Sequence, residues 1–427
     1  MSGVRPPLPP GPWLVVGLAR SGIAAARVLS ARGEQVVAVD AGRPDVPSDI
    51  DAHLETDGLA QLAHVRAVVK SPGVPREAPV IAAAREREIP VLGELELGWT
   101  LLPNEFIAVT GTNGKTTTVE LLGHIHREAG VAAAVAGNVG TALSGLAGEL
   151  HPAAVVVCEA SSFQLEDTTY FAPEGAVLLN VQSDHLDRHG TRDDYLSAKL
   201  KVFANQGNDD VAVAPFGLGV EDLGGCARRI CFGGDGELAD RAGHLWWDEE
   251  PLIAHEEIGL RGAHNRANAA AAAAIALARG LDPDAVRAGL RGFSSVEHRL
   301  EEVATHEGVL YVDDSKATNV ASTLVALASF DAPVHLILGG LGKGQDFSAL
   351  RDRAHAVYLI GEAAEQLERE VGGERCGDLE TAVARARAAA REGDVVLLSP
   401  ACASFDQFTD YEARGRAFKA LVASRSA

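Results

Sequence analysis

The distribution of apolar residues over the first hundred positions predicts short buried strands that alternate with helices. The run WLVVG at 13–17 enters a glycine turn, and residues 23–31 have the apolar spacing of a helix. Further apolar runs at 35–39 and 67–70 predict two more strands. Because strands that alternate with helices form parallel sheets, this region is predicted to be Rossmann-like.

The same alternation continues through the middle of the chain. Apolar runs at 106–110, 153–159 and 175–180 predict buried strands. Residues 205–258 are rich in glycine and polar side chains, which predicts strands joined by loops, and the alanine-rich segment 269–278 predicts a buried helix. A mostly parallel sheet is expected here.

Three apolar runs in the last third of the chain, GVLYV, HLILG and DVVLL, each lead into a polar or glycine-rich loop. They predict a second Rossmann-like sheet. The fold class is therefore predicted to be α/β with three domains: a Rossmann-like domain at 1–93, a central domain at 94–294 and a Rossmann-like domain at 295–427.

Composition narrows the class of protein. A chain of 427 residues is long enough for two or three domains, and its formal charge of −21 opposes nucleic-acid binding. No apolar run approaches the roughly 18 residues of a membrane helix, and the N-terminus lacks a hydrophobic signal core, so a cytoplasmic protein without a membrane span is expected. The five cysteines have no CxxC spacing, which argues against disulfides and zinc.

The segment FIAVTGTNGKTTTV at 106–119 is typical of a strand, a phosphate loop and a helix start, as in P-loop ATPases. Gly111 and Gly114 would let backbone N–H groups point at one anion, and Lys115 adds a positive charge. Thr116 at the helix start could reach Mg²⁺. The standard GxxxxGK[ST] spacing is absent because Val109 replaces its first glycine, so an ordinary polar turn remains an alternative.

Other candidate metal ligands follow the next predicted strands. Glu159 ends a buried strand and could hold Mg²⁺ directly or through water. His185 and His189 are four residues apart, a spacing that could hold zinc on a helix, but the segment lacks the HExxH glutamate and Mg²⁺ is preferred. By composition, Lys199 and Lys201 are solvated lysines of a helix.

Six signatures occur in a fixed order along the chain: GTNGKTT, EASSFQLE, DHLDRHG, HNRAN, DDSKATN and SPACASFDQF. In this order they resemble the Mur ligase superfamily, which also contains the folylpolyglutamate synthases. The resemblance implies a ligase that uses ATP and Mg²⁺ and passes through an acyl phosphate. The folylpolyglutamate synthases lack the Rossmann-like first domain, so residues 1–93 favour a murein ligase.

Within the superfamily, ASSFQLE, GGLGKGQDF and SPACASFDQF look most like the ligases that add D-glutamate to UDP-N-acetylmuramoyl-L-alanine in peptidoglycan synthesis. A sister ligase with another amino acid, or a folylpolyglutamate synthase-like ligase, is the alternative. A monomer is expected.

The resemblance also implies site residues. Those expected to bind ATP are Gly111, Thr112, Asn113, Gly114, Lys115, Thr116, Thr117, Asn268, Arg299 and Asp314. Those expected to act in catalysis are Lys115, Glu159, His185, Lys199 and Lys316. Those expected to hold magnesium are Thr116, Glu159, His185 and Lys199, the last as a carbamate. Those expected to bind the UDP substrate or D-glutamate are Ser21, Asp40, Ser71, Asn138, Ser161, Gln164, Thr318, Lys343, Ser404, Phe405 and Tyr411.

Two interpretations from other classes remain open. An NAD(P) oxidoreductase could be built on the turn from Gly17 to Asp40, but it would leave the phosphate loop unexplained. A nucleotide-dependent binding protein without catalytic activity would be expected to lack one of the proposed catalytic residues, and all of them are present.

Overall fold

The computed structural model describes residues 5–138, 140–182, 186–219, 222–293, 296–342 and 344–424, and only the backbone of residues 186 and 187. The chain forms two compact units. The first contains the described residues up to Ile258 together with Ala267–Gly292, and the second contains Gly259–Arg266 and the described residues from Phe293 onward. Within the described ranges, no helix is both long enough and apolar enough to cross a membrane.

The first unit begins with a parallel five-stranded sheet. Its strands are β1 (Trp13–Val16), β2 (Val36–Val39), β3 (Ala52–His53), β4 (Ala67–Lys70) and β5 (Val91–Gly93). They lie in the order β3-β2-β1-β4-β5. The accompanying helices are α1 (Arg20–Ala31), α2 (Leu59–Leu62), α3 (Pro79–Glu86) and α4 (Glu94–Leu101). This arrangement confirms the Rossmann-like prediction.

Helix α1 begins at Arg20, three residues before the predicted start at Ile23. The cause is the tight turn before it, in which Gly17 has a φ of +89°. A Cβ atom on Gly22 would lie only 1.8 Å from the carbonyl oxygen of Gly17, so the helix packs directly against the turn. Apolar spacing cannot locate a helix start that is set by such a close backbone contact.

The same unit contains a second, nine-stranded sheet. Its strands are β6 (Phe106–Thr110), β7 (Ala133–Gly137), β8 (Val155–Glu159), β9 (Gly175–Leu178), β10 (Val211–Pro215), β11 (Arg228–Phe232), β12 (Leu238–Arg241), β13 (His244–Trp247) and β14 (Glu250–Ala254). Their order is β14-β13-β12-β11-β10-β9-β6-β8-β7, parallel from β7 to β12 and antiparallel from β12 to β14. The predicted strands in 205–258 are confirmed.

Helices cover this sheet. They are α5 (Lys115–Glu128), α6 (Ser162–Leu165), α7 (Leu186–His189), α8 (Arg192–Leu200), α9 (Ala263–Ala278) and α10 (Pro283–Gly292). The alanine-rich part of α9, residues 269–276, is almost completely buried, as predicted. Strands β6, β8 and β9 are buried on both faces, which explains their continuous apolar sequences.

The second unit is built on a six-stranded sheet. Its strands are β15 (Glu301–His306), β16 (Val309–Asp313), β17 (Val334–Gly339), β18 (Ala356–Ile360), β19 (Glu374–Gly377) and β20 (Val395–Leu398). They lie in the order β15-β16-β20-β17-β18-β19, and only the edge strand β15 is antiparallel. The helices are α11 (Val320–Leu327), α12 (Ala364–Glu370), α13 (Leu379–Ala389) and α14 (Tyr411–Ala423).

A buried ion pair ties the first sheet to the second. The Nζ atom of Lys70, at the end of β4, lies 2.7 Å from Oδ2 of Asp167 and also donates to the carbonyl oxygen of Val74 at 2.7 Å. Burial lowers the pKa of Lys70 and raises the pKa of Asp167, in each case against the attraction of the partner. Desolvation is therefore the larger effect on both groups, and the pair adds little net stability although each member depends on the other.

We expect Lys70→Met to lower the unfolding free energy of the first unit by about 3–5 kcal/mol, because it leaves the Asp167 carboxylate buried without its closest cation. The double variant Lys70→Met/Asp167→Leu should recover most of that loss. Urea unfolding followed by tryptophan fluorescence measures this unit, because all four tryptophans belong to it. Equal losses in the single and double variants would contradict the analysis.

Candidate active site

The loop after β6 has the geometry of an anion-binding turn. Gly114 has a φ of +87°, and a Cβ atom there would lie 2.2 Å from Oδ1 of Asn268. Glycine is therefore required at this position, and Asn268 from α9 lies directly against the loop. Helix α5 follows at Lys115, so the N–H groups of its first turn lie beside the loop.

Asn180 supports the loop from the neighbouring strand. Its Oδ1 accepts hydrogen bonds from the backbone N–H groups of Thr112 and Asn113 at 3.1 and 3.0 Å, and its Nδ2 donates to the carbonyl oxygen of Asn113 at 3.0 Å. Strand β9 ends at Leu178, two residues before its predicted end. The sequence analysis missed this role of Asn180, and the available signal was an asparagine directly after a buried strand.

Two lysines converge on one carbonyl group of the loop. The Nζ atom of Lys115 donates to the carbonyl oxygens of Gly111 and Thr112, both at 2.8 Å. The Nζ atom of Lys199, from α8, donates to the same Gly111 oxygen at 2.9 Å and lies 4.3 Å from the centre of the Tyr195 ring. Lys115 thus places a positive charge where a phosphate loop needs it, and the Lys199 side chain lies beside it.

Lys199 is only 1% exposed, so the expectation of a solvated lysine is wrong. The composition of the segment could not predict this burial, because it depends on how α8 packs against the loop. Lys201 is half-buried and donates to the carbonyl oxygens of Glu166 and Thr168. The sequence analysis did not single out Tyr195, whose hydroxyl oxygen lies 3.3 Å from Oγ1 of Thr112.

Glu159 joins the loop to the adjacent strand. Its side chain is 2% exposed, Oε2 accepts a hydrogen bond from Oγ1 of Thr116 at 2.7 Å, and Oε1 accepts one from Nδ2 of Asn138 at 3.0 Å. The structure thus brings together three predicted site residues. A hydroxyl and a carboxylate oxygen side by side are hard ligands of the kind Mg²⁺ prefers, so these residues fit that ion.

Four further candidate site residues were predicted in the segments after β8 and β9. Ser161 and Gln164 form a reciprocal capping box at the start of α6, in which Oε1 of Gln164 accepts a hydrogen bond from the Ser161 N–H at 3.0 Å. His189 has its Nε2 atom 3.0 Å from Oγ of Ser162 and stacks on Phe163. His185 lies outside the described residues.

The residues predicted to bind uridine lie at the carboxyl ends of β1, β2 and β4. The carboxylate of Asp40 accepts hydrogen bonds from the N–H groups of Leu18 and Gly42 at 2.6 and 2.7 Å. Oγ of Ser71 donates to the carbonyl oxygen of Gly17 at 2.7 Å. Asp40 and Ser71 therefore brace the glycine turn that precedes Ser21, which lies in the first turn of α1.

In the second unit, the loop after β16 carries a buried pair of aspartates. Asp313 accepts a hydrogen bond from Nδ1 of His298, with 2.6 Å between the atoms, and one from the N–H of Ser315 at 2.9 Å. Asp314 accepts hydrogen bonds from Oγ of Ser399 at 2.8 Å and from the N–H of Leu300 at 3.3 Å.

Burial raises the pKa of Asp314 to about 7, although Ser399 and the positive charge of Arg299 favour its ionised form. This carboxyl group therefore titrates near neutral pH, unlike an exposed aspartate.

Three loops of the second unit and the start of α14 carry the residues predicted to bind the amino acid, and the first of these loops also carries the predicted catalytic residue Lys316. Lys316 lies with Nζ 5.3 Å from the centre of the Tyr411 ring. A short antiparallel bridge between Leu341 and Ala403 joins the loop after β17 to the loop after β20. The latter loop holds Ser404, which is buried, and Phe405, which is 66% exposed.

Two further predicted residues belong to these loops. Thr318 is half-buried in the loop after β16. Lys343 lies outside the described residues.

Known protein families match parts of both units. Three family models match successive parts of the chain: the Mur ligase MurD-like N-terminal domain at 12–93, the Mur ligase middle domain at 109–217 and the Mur ligase glutamate ligase domain at 298–402. The crystal structure of UDP-N-acetylmuramate-alanine ligase from Thermotoga maritima superposes with a TM-score of 0.60 at 20% identity and covers 96% of this chain and 98% of that one. At that identity the superposition supports the three-domain fold alone.

Curated relatives are similar over almost the whole chain. The UDP-N-acetylmuramoylalanine–D-glutamate ligase of Rubrobacter xylanophilus is 44% identical, with 97% of this chain and 98% of the relative covered. The ligase of the same name from Koribacter versatilis is 41% identical, with 96% of each chain covered. The chain therefore belongs to the Mur ligase family, among relatives that are named UDP-N-acetylmuramoylalanine–D-glutamate ligase.

Proposed function

We propose that this protein is an ATP-dependent ligase that joins D-glutamate to the carboxylate of UDP-N-acetylmuramoyl-L-alanine, a step of peptidoglycan precursor synthesis. The observation that carries the proposal is the cluster of Lys115, Thr116 and Glu159 beside one phosphate loop, with Asn268 against that loop. The full-length relatives named for this reaction support the choice of substrates.

The phosphate loop serves the first chemical step. A carboxylate is a poor acylating agent, so its oxygen attacks the γ-phosphorus of ATP, the bond from that phosphorus to the bridging oxygen breaks, and ADP leaves. Lys115 and the N–H groups at the start of α5 would stabilise negative charge on the phosphoryl oxygens. Asn268 is proposed to contact the nucleotide, since it already lies against Gly114.

Thr116 and Glu159 are proposed to hold Mg²⁺, with His185 and a carbamate of Lys199 as further ligands. Bound there, the ion would neutralise phosphate charge. Asn138 keeps the Glu159 carboxylate oriented through its hydrogen bond to Oε1.

In the second step the neutral amine of D-glutamate attacks the acyl carbon, the C–O bond to phosphate breaks, and the nitrogen loses a proton as the amide forms. We propose that the second unit binds this amino acid. Its carboxylates require cations and hydroxyl donors, which the predicted set supplies. That set is Thr318, Lys343, Ser404 and Tyr411, with Phe405 as an apolar neighbour. Lys316 is proposed to act in catalysis, where its positive charge would stabilise the transferring phosphoryl group.

The first sheet is proposed to bind the uridine part of the substrate through Ser21, Asp40 and Ser71. The domain ranges 1–93, 94–294 and 295–427 are kept as the proposed functional division. The monomeric state and the cytoplasmic location stay predictions from the sequence.

The proposed reaction predicts phosphate release that requires ATP, UDP-N-acetylmuramoyl-L-alanine and D-glutamate together. L-Glutamate, meso-diaminopimelate and L-alanine should each fail to replace D-glutamate. Lys115→Ala serves as the inactive control, because it removes the ammonium group that donates to the carbonyl oxygens of Gly111 and Thr112 in the loop. Release with a different amino acid would assign a sister ligase, and release with none would contradict a ligase function.

We expect the carbamate on Lys199 to form when its neutral amine adds to CO₂ and releases a proton. Removing CO₂ from the buffer should lower turnover by about 10²-fold, as the loss of one group that stabilises a transition state does, and bicarbonate should restore it. Labelling with ¹³CO₂ should give a carbamate NMR signal that Lys199→Ala lacks and Lys201→Ala keeps. A wild-type protein without that signal would contradict the assignment.

Because Asp314 has a pKa of about 7, nucleotide binding should depend on pH. The ionised carboxylate accepts hydrogen bonds from a nucleotide donor, and its fraction rises about tenfold between pH 6 and pH 8, so the KM for ATP should fall by about the same factor. Asp314→Asn corrects for the titration of ATP itself and should lack the extra change. Identical pH profiles in the two proteins would remove Asp314 from the nucleotide site.

A further inference from the structure

Arg414 is a buried cation that belongs to none of the groups assigned above. It lies on α14 and is 1% exposed. Its Nε donates to Oγ of Ser315 at 3.0 Å, and its Nη2 donates to the carbonyl oxygens of Ser315 at 2.8 Å and Cys402 at 3.1 Å. Its Nη1 lies 3.5 Å from the carbonyl oxygen of Gly339. One side chain thus reaches three separate segments of the chain.

These acceptors stand at the roots of the three loops that carry the proposed amino-acid site. Ser315 is three residues before Thr318, and Cys402 is two residues before Ser404. Gly339 ends β17 and starts the glycine-rich loop that contains Lys343. The guanidinium group therefore contacts the backbone at the base of each loop rather than at the tips.

The contacts of Arg414 are hydrogen bonds with fixed directions. The acceptors that the described residues provide within hydrogen-bond distance are three carbonyl groups and one hydroxyl. A planar guanidinium group fixes the directions of its donors, so it sets the angles between the groups it binds. Burial lowers the pKa of Arg414 to about 10, which still leaves the side chain charged at neutral pH.

Neighbouring contacts leave the loops little room to shift. A Cβ atom on Gly340 would lie 2.3 Å from the Ala403 carbonyl oxygen and 3.2 Å from Nη1 of Arg414. One turn earlier on α14, the carbonyl oxygen of Tyr411 accepts a hydrogen bond from Oγ of Ser315 at 2.8 Å, and its ring faces Nζ of Lys316. Helix α14 therefore holds the Ser315–Lys316 segment from two sides.

We infer that Arg414 is a positioning residue, which fixes the relative placement of these three loops and thereby the affinity of the enzyme for its amino-acid substrate. The inference rests on the proposed function, because it takes the loops to bind D-glutamate. Arg414 itself would touch no reactant and would act through the loops that carry Thr318 and Ser404.

The test compares Arg414→Met and Arg414→Lys with a matched control, Arg387→Met. Arg387 also donates to backbone carbonyl groups, those of Leu421 at 2.8 Å and Ser424 at 3.3 Å, but at the far end of α14. We expect Arg414→Met to raise the KM for D-glutamate about tenfold or more, since small misplacement of a substrate-binding group has effects of this size. Arg414→Lys should give a smaller rise, and Arg387→Met none.

The KM for UDP-N-acetylmuramoyl-L-alanine should stay within about twofold in all three variants, because the loops at issue do not bind it. A purely structural role would lower the amount of active enzyme, so kcat would fall while the KM for D-glutamate stayed unchanged. That result would overturn the inference.

A second variant covers the case in which Arg414→Met does not fold. Ser315→Ala removes the hydroxyl that accepts a hydrogen bond from Nε of Arg414 and donates one to the Tyr411 carbonyl oxygen, and it keeps the contacts of Arg414 with the three carbonyl groups. It should raise the KM for D-glutamate in the same direction; an unchanged KM would overturn the inference. If the wild-type enzyme uses another amino acid, the proposed function fails, and the inference is then decided by whether the variants raise the KM for that amino acid.

Discussion

A buried carboxylate requires polar neighbours, and in this protein that requirement organises the catalytic loop around Glu159. Strand β8 pairs with β6 so that Glu159 lies beside Val109, and with β7 so that it lies beside Gly137. This register brings the carboxylate to Thr116 on one side and Asn138 on the other. The start of α5, which follows the phosphate loop, and the turn after β7 are thus held by one carboxylate, and a shift of one residue in either pairing would separate them.

In the second unit a buried cation, instead of a buried carboxylate, holds the loops together. There the buried guanidinium group of Arg414 contacts the loops that follow three adjacent strands. In both units the loops converge because parallel strands place their carboxyl ends at one edge of the sheet. The sheet supplies the approximate meeting point, and one buried charge fixes the detailed geometry.

Much of this arrangement was predictable from the sequence. Strands buried on both faces have continuous apolar runs, so the sequence predicted the bounds of β4 and β6 correctly. The glycines and the lysine after β6 predicted a loop that binds phosphate. The contacts of Lys199, Asn180 and Arg414 were not predictable. Each is a polar residue on or beside a regular element, and its role depends on which distant backbone groups the fold brings to it.

The Lys115 cation of the phosphate loop is held by main-chain carbonyl groups, whose dipoles act over short distances only. The chain as a whole carries a formal charge of −21, and both the nucleotide and the UDP precursor are anions. In 0.1 M salt these charges are screened beyond a Debye length of about 10 Å, so an anionic substrate is attracted only when it comes close to the phosphate loop. The net negative charge therefore gives no electrostatic steering of these anions, and their capture depends on short-range contacts with the loop instead of on charge at long range.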